Sequence, residues 1–270
     1  MKIASWNINS LRKRQDRLIT WLAAFEPDVV CLQETKCTDD QFPTLALEAA
    51  GYYVHIARAA GEARPLCCGR TYLATGLVDQ AKQEARRTLE ALLPHVRRGV
   101  PVIGLEPSCL LTMRDEFLAY GMGADAQLLS EHALLFEEFL AREHRRGTLE
   151  LPLKPLPQKV AMLHGHCHQK AFDAVKPIEV VLGLIPELDV RLIETSCCGM
   201  AGSFGYDAEH YDVSMKMAEL ALLPAVRAAR DDALIVADGT SCRHQIADGA
   251  QRQAIHVAVV LAAALAGQPA

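Results

Sequence analysis

Apolar residues recur along this chain at two spacings, which predict alternating strands and helices. Short apolar runs are typical of buried strands, and apolar positions three and four residues apart are typical of amphipathic helices. The predicted strands are 2–7, 29–32, 53–56, 102–105, 159–163, 190–194 and 234–237. The predicted helices are 11–25, 42–50, 77–97, 127–144, 178–184, 208–220, 223–230 and 256–266. Such alternation predicts an α/β fold with a mainly parallel sheet that helices cover on both faces.

The sequence also contains an internal repeat. Cys67-Cys68-Gly69 recurs as Cys197-Cys198-Gly199, and a Leu-Leu-Pro-x-Val-Arg string follows each pair at the same distance. Each copy then passes through an apolar strand into a Ser-Cys pair, at Cys109 and at Cys242. Because a shared pattern of this length is the mark of a duplicated unit, we predict two related parallel-sheet units.

Composition narrows the classes of function. The chain has 270 residues, a net charge of −5 and no long basic run, so nothing in its charge favours binding to nucleic acid. The amino terminus lacks the apolar core of a signal peptide, and the apolar run 257–266 is too short to cross a bilayer. We therefore expect a cytoplasmic protein without a transmembrane segment. Its nine cysteines are then expected to be reduced, and to bind metal or carry redox chemistry.

Four of these cysteines follow predicted strands of the second unit. They are Cys167, Cys197, Cys198 and Cys242, each expected on a loop. Since the carboxyl ends of parallel strands gather along one edge of a sheet, their thiolates should meet there and suit an iron–sulfur cluster or a soft metal ion. Zinc is the main alternative, although the chain lacks the Cys-x-x-Cys spacing of most zinc sites. Inert cysteines of a core are the other.

Five segments that contain these cysteines carry a resemblance to a known family. They are 64–70, 105–109, 164–170, 197–205 and 238–245. From about residue 47 onwards the sequence resembles the cysteine-rich (CCG) domain pair of the heterodisulfide reductase B and glycolate oxidase iron–sulfur subunit type. It is similar in particular to the carboxyl-terminal part of FAD-linked oxidases.

The resemblance implies electron transfer through an iron–sulfur centre, which takes electrons from a flavin that oxidises a 2-hydroxy acid such as glycolate or D-lactate. It implies that Cys167, Cys197, Cys198 and Cys242 are ligands, with Cys67, Cys68 and Cys109 as their counterparts in the first unit. The FAD would lie on a partner domain or subunit, and the electron acceptor is not indicated. Many relatives end each unit in Cys-x-x-Cys, whereas this chain has Cys109 and Cys242 alone. A four-ligand cluster of the 4Fe-4S type is therefore expected rather than a five-thiolate one.

Three histidines flank the expected ligands. His166, His168 and His244 either hydrogen-bond to the cluster or cap nearby helices as ordinary polar residues.

The first fifty residues carry a second resemblance. Residues 1–12 and 27–36 resemble the start of exodeoxyribonuclease III, in which the residues matching Asn7 and Glu34 help to hold Mg²⁺. The Gly-Asp-x-Asn and Ser-Asp-His segments of that family have no counterpart here, and two oxygen ligands alone cannot activate water. Nuclease activity is therefore not expected, and we interpret the chain as a chimera joined near residues 47–52. The predicted parts are a nuclease-like fragment (1–50), cysteine-rich unit 1 (51–150), a proline-rich linker (151–157) and cysteine-rich unit 2 (158–270).

Overall fold

The structure is a computed structural model that describes residues 3–7, 11–25, 29–33, 66–195 and 197–266. The chain divides into two compact bodies. One consists of Met1–Arg58 with Leu149–Leu151, and the other of Ala59–Thr148 with Pro152–Ala270. The helix predicted at 42–50 and the strand predicted at 53–56 lie outside the described residues.

In the first body the described residues form a strand, a helix and a second strand. Strands β1 (Ile3–Asn7) and β2 (Val29–Gln33) are parallel, with Ile3 opposite Val29 and Asn7 opposite Gln33. Helix α1 (Leu11–Phe25) connects them and buries Leu18 and Leu22, four residues apart on one helical face. This is the strand–helix–strand order that the hydrophobic pattern predicts.

Unit 1 of the second body is mostly helical. Its described elements are α2 (Arg70–Ala74), α3 (Val78–Val96), β3 (Val102–Gly104), α4 (Pro107–Arg114), α5 (Glu116–Ala119), α6 (Gly123–His132), β4 (Ala133–Leu135) and α7 (Phe136–Arg145). Strands β3 and β4 are parallel. Helix α3 packs one apolar face, which includes Ala85, Leu89 and Val96, against Phe117 and Leu129.

The single helix predicted at 127–144 is wrong. A three-residue strand, β4, separates α6 from α7, because Ala133–Leu135 pairs with Val102–Gly104. Glu138 stabilises the restart of the helix, since its carboxylate accepts a hydrogen bond from the backbone N–H of Leu135. Pairing with a distant strand therefore overrides a continuous helical pattern.

Unit 2 is a four-stranded parallel sheet with helices. Its elements are β5 (Val160–His164), α8 (Cys167–Ala171), α9 (Lys176–Leu182), β6 (Asp189–Leu192), a short 3₁₀ helix (Phe204–Tyr206), α10 (Tyr211–Glu219), α11 (Leu222–Ala228), β7 (Leu234–Ala237), α12 (Thr240–Ala250), β8 (Ala254–Ile255) and α13 (Val257–Ala266). The strand order is β6-β5-β7-β8. The chain turns to one side of β5 to form β6 and crosses to the other side to form β7. In open parallel sheets such a reversal, at the carboxyl ends of the strands, is where ligands usually bind.

The predicted α/β class with parallel strands is confirmed, whereas the tandem CCG arrangement stays a prediction. Local geometry does repeat between the units. Gly69 and Gly199, which follow the two cysteine pairs, both adopt positive φ, at 80° and 89°. Cys109 and Cys242 are each the third residue of a helix, α4 and α12.

The proline-rich stretch 151–157 is not helical, in keeping with its composition. It nevertheless packs on the protein, since Leu156 is buried and the N–H of Lys154 donates to the carbonyl of Ala264 in α13.

Candidate metal centre

The carboxyl ends of three neighbouring strands bring the predicted cysteines together. Cys167 follows β5, Cys197 and Cys198 follow β6, and Cys242 follows β7. The Sγ atoms of Cys198 and Cys242 are 3.4 Å apart, and both residues are buried. Cys197 is half-buried and its thiol contacts those of Cys167 and Cys198. Four sulfur atoms from three separate segments of the chain thus form one continuous cluster.

The four thiols share protons in an alternating pattern. Hydrogen bonding from Cys167, and then from Cys198, lowers the pKa of Cys197 far below its ordinary value. Hydrogen bonding to Cys197 raises the pKa of Cys167, and contact with Cys197 and Cys242 raises that of Cys198. The contact with Cys198 lowers the pKa of Cys242, and the ring of His164 adds to this effect. Two thiols therefore donate hydrogen bonds to two thiolates. If a metal ion or cluster bound here, the thiols would lose their protons and metal–sulfur bonds would take the place of these hydrogen bonds.

The expectation that all four cysteines lie on loops is wrong for two of them. Cys167 is the first residue of α8 and Cys242 lies in the first turn of α12. Both helices begin immediately beyond a strand end, so each of these sulfurs lies near a helix N-terminus, where a metal-bound thiolate would be favoured. The N–H of Gly199 also donates to the Sγ of Cys197 at 3.2 Å.

Glycines allow the backbone to pack closely around the cluster. A Cβ at Gly199 would lie 2.1 Å from the carbonyl oxygen of Ser214. A Cβ at Gly239 would lie 2.4 Å from the ring of His166 and 3.2 Å from the Sγ of Cys242. Only a residue without a side chain fits at either position, so the loops after β6 and β7 depend on these glycines.

His164 belongs to the cluster, and the sequence interpretation missed it. It is the last residue of β5 and is buried. One of its ring nitrogens, the Sγ of Cys198 and the Sγ of Cys242 all lie within 4.8 Å of one another. Its place at the end of β5, three residues before Cys167, is a weak local signal, because it does not separate a ligand from a core histidine. The donor set of four sulfurs and one imidazole is suitable for iron or zinc.

The three histidines singled out from the sequence have separate environments. His166 is buried, and its Nδ1 accepts a hydrogen bond from the N–H of His168, which caps α8. Burial, with a contribution from Arg70, lowers the pKa of His168 to about 4, so that ring is neutral. His244 is exposed, and its Nδ1 is 2.6 Å from the hydroxyl of Tyr206.

Unit 1 has a smaller group of thiols. Cys68 is buried and Cys109 is exposed, and a hydrogen bond between their side chains lowers the pKa of Cys68 to about 7. The same hydrogen bond raises the pKa of Cys109. The Sγ of Cys67 accepts the N–H of Gly69 at 3.4 Å, as Cys197 does from Gly199. The three predicted counterparts are therefore neighbours, but they form a smaller group than the four of unit 2.

Of the two residues predicted to hold magnesium in the nuclease-like segment, the structure describes only Asn7, through its backbone. Asn7 ends β1 opposite Gln33, the last residue of β2. Glu34 follows Gln33 and lies outside the described residues. The register therefore places Asn7 at the carboxyl edge of the two-stranded sheet, beside the strand that leads to Glu34.

The sequence pattern of the Endonuclease/Exonuclease/phosphatase family matches residues 4–237. The chain belongs to this family. The match extends well past the first fifty residues, to which the sequence interpretation confined its resemblance to a nuclease. Exodeoxyribonuclease III of Haemophilus influenzae, by comparison, is 44% identical over 54 residues, which is 20% of this chain and 20% of that protein.

Two longer similarities are to dehydrogenases. One of the subunits of anaerobic glycerol-3-phosphate dehydrogenase from Escherichia coli is 31% identical over 201 residues, 74% of this chain and 50% of that polypeptide. D-2-hydroxyglutarate dehydrogenase from Escherichia coli is 27% identical over 183 residues, 66% of this chain and 17% of that protein. The chain thus spans half the length of the first and a small part of the second. About two thirds to three quarters of the chain is therefore also similar to parts of dehydrogenases.

Among the described residues, we find no helix with the length and apolar character needed to cross a membrane.

Proposed function

We propose that unit 2 holds an iron–sulfur cluster of the 4Fe-4S type and that the chain is an electron-transfer module. The observation that carries this proposal is the convergence of Cys167, Cys197, Cys198 and Cys242 beyond the ends of β5, β6 and β7. Inert core cysteines do not account for it, because two of these thiols have strongly lowered pKa values and one is exposed. When bound, such a cluster would accept electrons and pass them on.

The protein supplies several features that suit an anionic cluster. The N-termini of α8 and α12 and the N–H of Gly199 place positive partial charge around the thiolates. Lys170, in α8, donates to the carbonyl of Thr195 and lies near enough for all four cysteines to raise its pKa, although burial lowers that pKa overall. These groups stabilise the thiolate form that metal binding needs.

The similarities to dehydrogenases favour a flavin-containing partner. Both relatives are named for reactions that remove electrons from an alcohol, and one of those substrates, D-2-hydroxyglutarate, is a 2-hydroxy acid. We propose that FAD on a partner domain or subunit oxidises a 2-hydroxy acid of the glycolate or D-lactate class. Electrons would then pass from that flavin to the cysteine cluster of this chain, and onward to an acceptor.

Cys67, Cys68 and Cys109 are proposed as a second, weaker site. Their thiols are neighbours and repeat the local geometry of unit 2. Within the described residues, this group supplies three sulfurs where unit 2 supplies four.

Anaerobic purification with metal analysis tests the proposal. We expect a brown protein that contains iron and acid-labile sulfide in similar amounts. Cys198→Ser should lose most of this iron, because Cys198 contacts the thiols of both Cys197 and Cys242. The matched control is Cys37→Ser, which changes a cysteine that is not among the proposed ligands and should keep the iron content of the parent chain. A colourless protein with bound zinc would instead support a structural zinc site.

A nuclease is the second candidate, and the family match over residues 4–237 is the observation that favours it. The missing aspartates and general-base histidine weigh against it, so we propose that Asn7 and Glu34 are remnants of a magnesium site in a fused segment. Incubation with DNA that contains an abasic site, with and without Mg²⁺, tests this point. Magnesium-dependent cleavage that Glu34→Gln abolishes would show that the segment is active and would contradict the proposal.

A further inference from the structure

A buried imidazole stands beside the cysteine cluster without a hydrogen-bond partner. The side chain of His164 is 1% exposed. Within the described part of the chain, neither Nδ1 nor Nε2 of this ring meets the distance and angle of a hydrogen bond, although the ring lies close to the thiol of Cys242. Leaving a buried polar group in this state is costly, so such groups usually have a partner, whether protein, water or a bound ion.

The position of His164 gives the ring little freedom. The residue closes β5 and is paired in register with Ala237, the last residue of β7. Those two strands are neighbours at the centre of the four-stranded sheet. The ring is therefore held at the same sheet edge from which Cys167 and Cys242 emerge.

Three donor groups at this edge are close enough to share one metal. A ring nitrogen of His164 and the sulfurs of Cys198 and Cys242 all lie within 4.8 Å of one another. All three residues are buried, which distinguishes the group from the clusters of exposed polar side chains that are common on surfaces. Imidazole nitrogen and thiolate sulfur are ligands that both iron and zinc accept.

We propose that His164 is a direct ligand of the metal centre, through one ring nitrogen, so that imidazole takes one of the metal positions that the four cysteines would otherwise fill. This inference rests on the proposed function in that it needs a metal centre at the cysteines. It goes beyond it by adding a nitrogen ligand, which gives a mixed sulfur and nitrogen site in place of one made of sulfur alone. In iron–sulfur proteins, replacement of thiolate by imidazole raises the reduction potential, so the ligand would also affect which partners can donate electrons.

The decisive measurement uses the parent chain. The protein is labelled with ¹⁵N at its histidines, reconstituted anaerobically with ferrous iron and sulfide, and studied by electron–nuclear double resonance in its paramagnetic state. We expect a strong ¹⁵N coupling typical of an iron-bound imidazole. A centre that contains iron but shows no such coupling would overturn the inference and leave the proposed function intact.

Two variants assign the signal. His164→Ala should lose the ¹⁵N coupling, and His244→Ala should keep it, since His244 is an exposed residue that contacts Tyr206. A coupling that persists in folded His164→Ala protein would overturn the assignment. His164→Cys supplies a thiolate instead, and it should retain iron, lack the coupling and have a lower midpoint potential than the parent chain.

The outcomes separate this inference from the proposed function. A parent chain that binds neither iron nor zinc would overturn both. If the chain binds zinc, the proposed function fails, and X-ray absorption at the zinc edge decides on His164. A nitrogen scatterer at about 2.0–2.1 Å that is lost in His164→Ala would support the ligand, and a shell made only of sulfur would exclude it.

Discussion

Glu106 of unit 1 and Thr240 of unit 2 are joined by two hydrogen bonds. The Oε2 atom of Glu106 accepts the backbone N–H of Thr240 at 3.0 Å and its hydroxyl at 2.8 Å. The Oε1 atom accepts the hydroxyl of Ser108 at 2.8 Å. One carboxylate therefore caps α4, which carries Cys109, and also the start of α12, which carries Cys242. It fixes the two Ser-Cys motifs relative to each other.

We expect Glu106→Gln to lower the free energy of unfolding by about 1.5–3 kcal/mol at neutral pH, because it replaces charge-assisted hydrogen bonds with neutral ones. Urea unfolding of the reduced, metal-free chain measures this loss. Burial raises the pKa of Glu106, but the hydrogen bonds from Thr240 and Ser108 outweigh it and the pKa is lowered from 4.5. The carboxylate thus contributes stability above pH 4.5 that is lost as the pH falls, and the difference between variant and parent should shrink in acid.

Thr240→Ser is the matched control for this substitution. It keeps both the backbone donor and the hydroxyl, so its unfolding curve should stay close to that of the parent chain. Equal losses in Thr240→Ser and Glu106→Gln would indicate a packing effect in place of the capping described above.

Thiol reactivity should follow pKa more closely than exposure. In the reduced, metal-free chain at pH 7, we expect iodoacetamide to modify Cys197 faster than Cys167. Hydrogen bonding from Cys167 keeps Cys197 as a thiolate, whereas the same contact keeps Cys167 protonated although it is the more exposed of the two. Mass spectrometry after limiting modification gives both rates.

The comparison needs the unfolded chain as a reference. In concentrated urea the two cysteines should react at similar rates, since the hydrogen bond no longer exists. Faster modification of Cys167 in the folded chain would contradict the shared-proton pattern.

The grouping of the four cysteines follows from the sequence, because strand ends in a parallel sheet must meet at one edge. The packing of α12, the helix that carries Cys242, does not follow from the sequence. The buried face of α12 consists of Cys242, Gln245, Ile246 and Ala250, so a polar residue interrupts the apolar pattern. The buried side chain of Gln245 finds its hydrogen-bond partners in a residue distant along the chain, since its amide donates to the hydroxyl and the carbonyl of Ser214.

His164 and β4 escaped the sequence interpretation for a related reason. Nothing local distinguishes a core histidine from one aimed at a cluster, because the cysteines near it come from 34 and more residues away along the chain. The strand Ala133–Leu135 lies within a stretch of helical periodicity, and only its pairing with β3 makes it a strand. Contacts between distant residues decide both features.

The loop after β6 should be intolerant of a side chain at Gly199. We expect Gly199→Ala to lower the free energy of unfolding by about 4 kcal/mol or more, because φ is 89° and the new Cβ would lie 2.1 Å from a backbone oxygen. The variant should also bind less iron, since this loop carries Cys197 and Cys198. Urea unfolding and metal analysis of the same preparation measure the two effects.

Gly202→Ala serves as the comparison within the same loop. Its φ is 71°, but the nearest atom to a new Cβ would be the Cβ of Ala74 at 3.6 Å, an ordinary contact. The expected loss is therefore only about 1–2 kcal/mol, the cost of the left-handed conformation. Similar losses at both positions would show that close packing around Gly199 adds nothing.

A buried carboxyl pair should make stability depend on pH in the opposite direction from Glu106. The side-chain amide nitrogen of Gln169 donates to Glu137 at 2.6 Å and to Asp238 at 3.0 Å, which links α7, α8 and the end of β7. Burial, and then the neighbouring charge of Asp238, raise the pKa of Glu137 well above 4.5. The folded chain therefore keeps a proton on Glu137 that the unfolded chain releases above pH 4.5. The stability gained from this proton is complete below that pH and is lost as the pH rises.

Glu137→Gln removes this titration, so we expect the free energy of unfolding of the variant to increase relative to the parent chain as the pH rises from 5 to 8. Urea unfolding across that range, on reduced and metal-free protein, gives the slope. Asp238→Asn tests the same pair from the other side: without its charge the pKa of Glu137 moves towards 4.5 and the parent's decline with pH becomes smaller. Parallel pH profiles for all three proteins would show that Glu137 is ionised in the folded chain, and that Gln169 bridges two charged carboxylates.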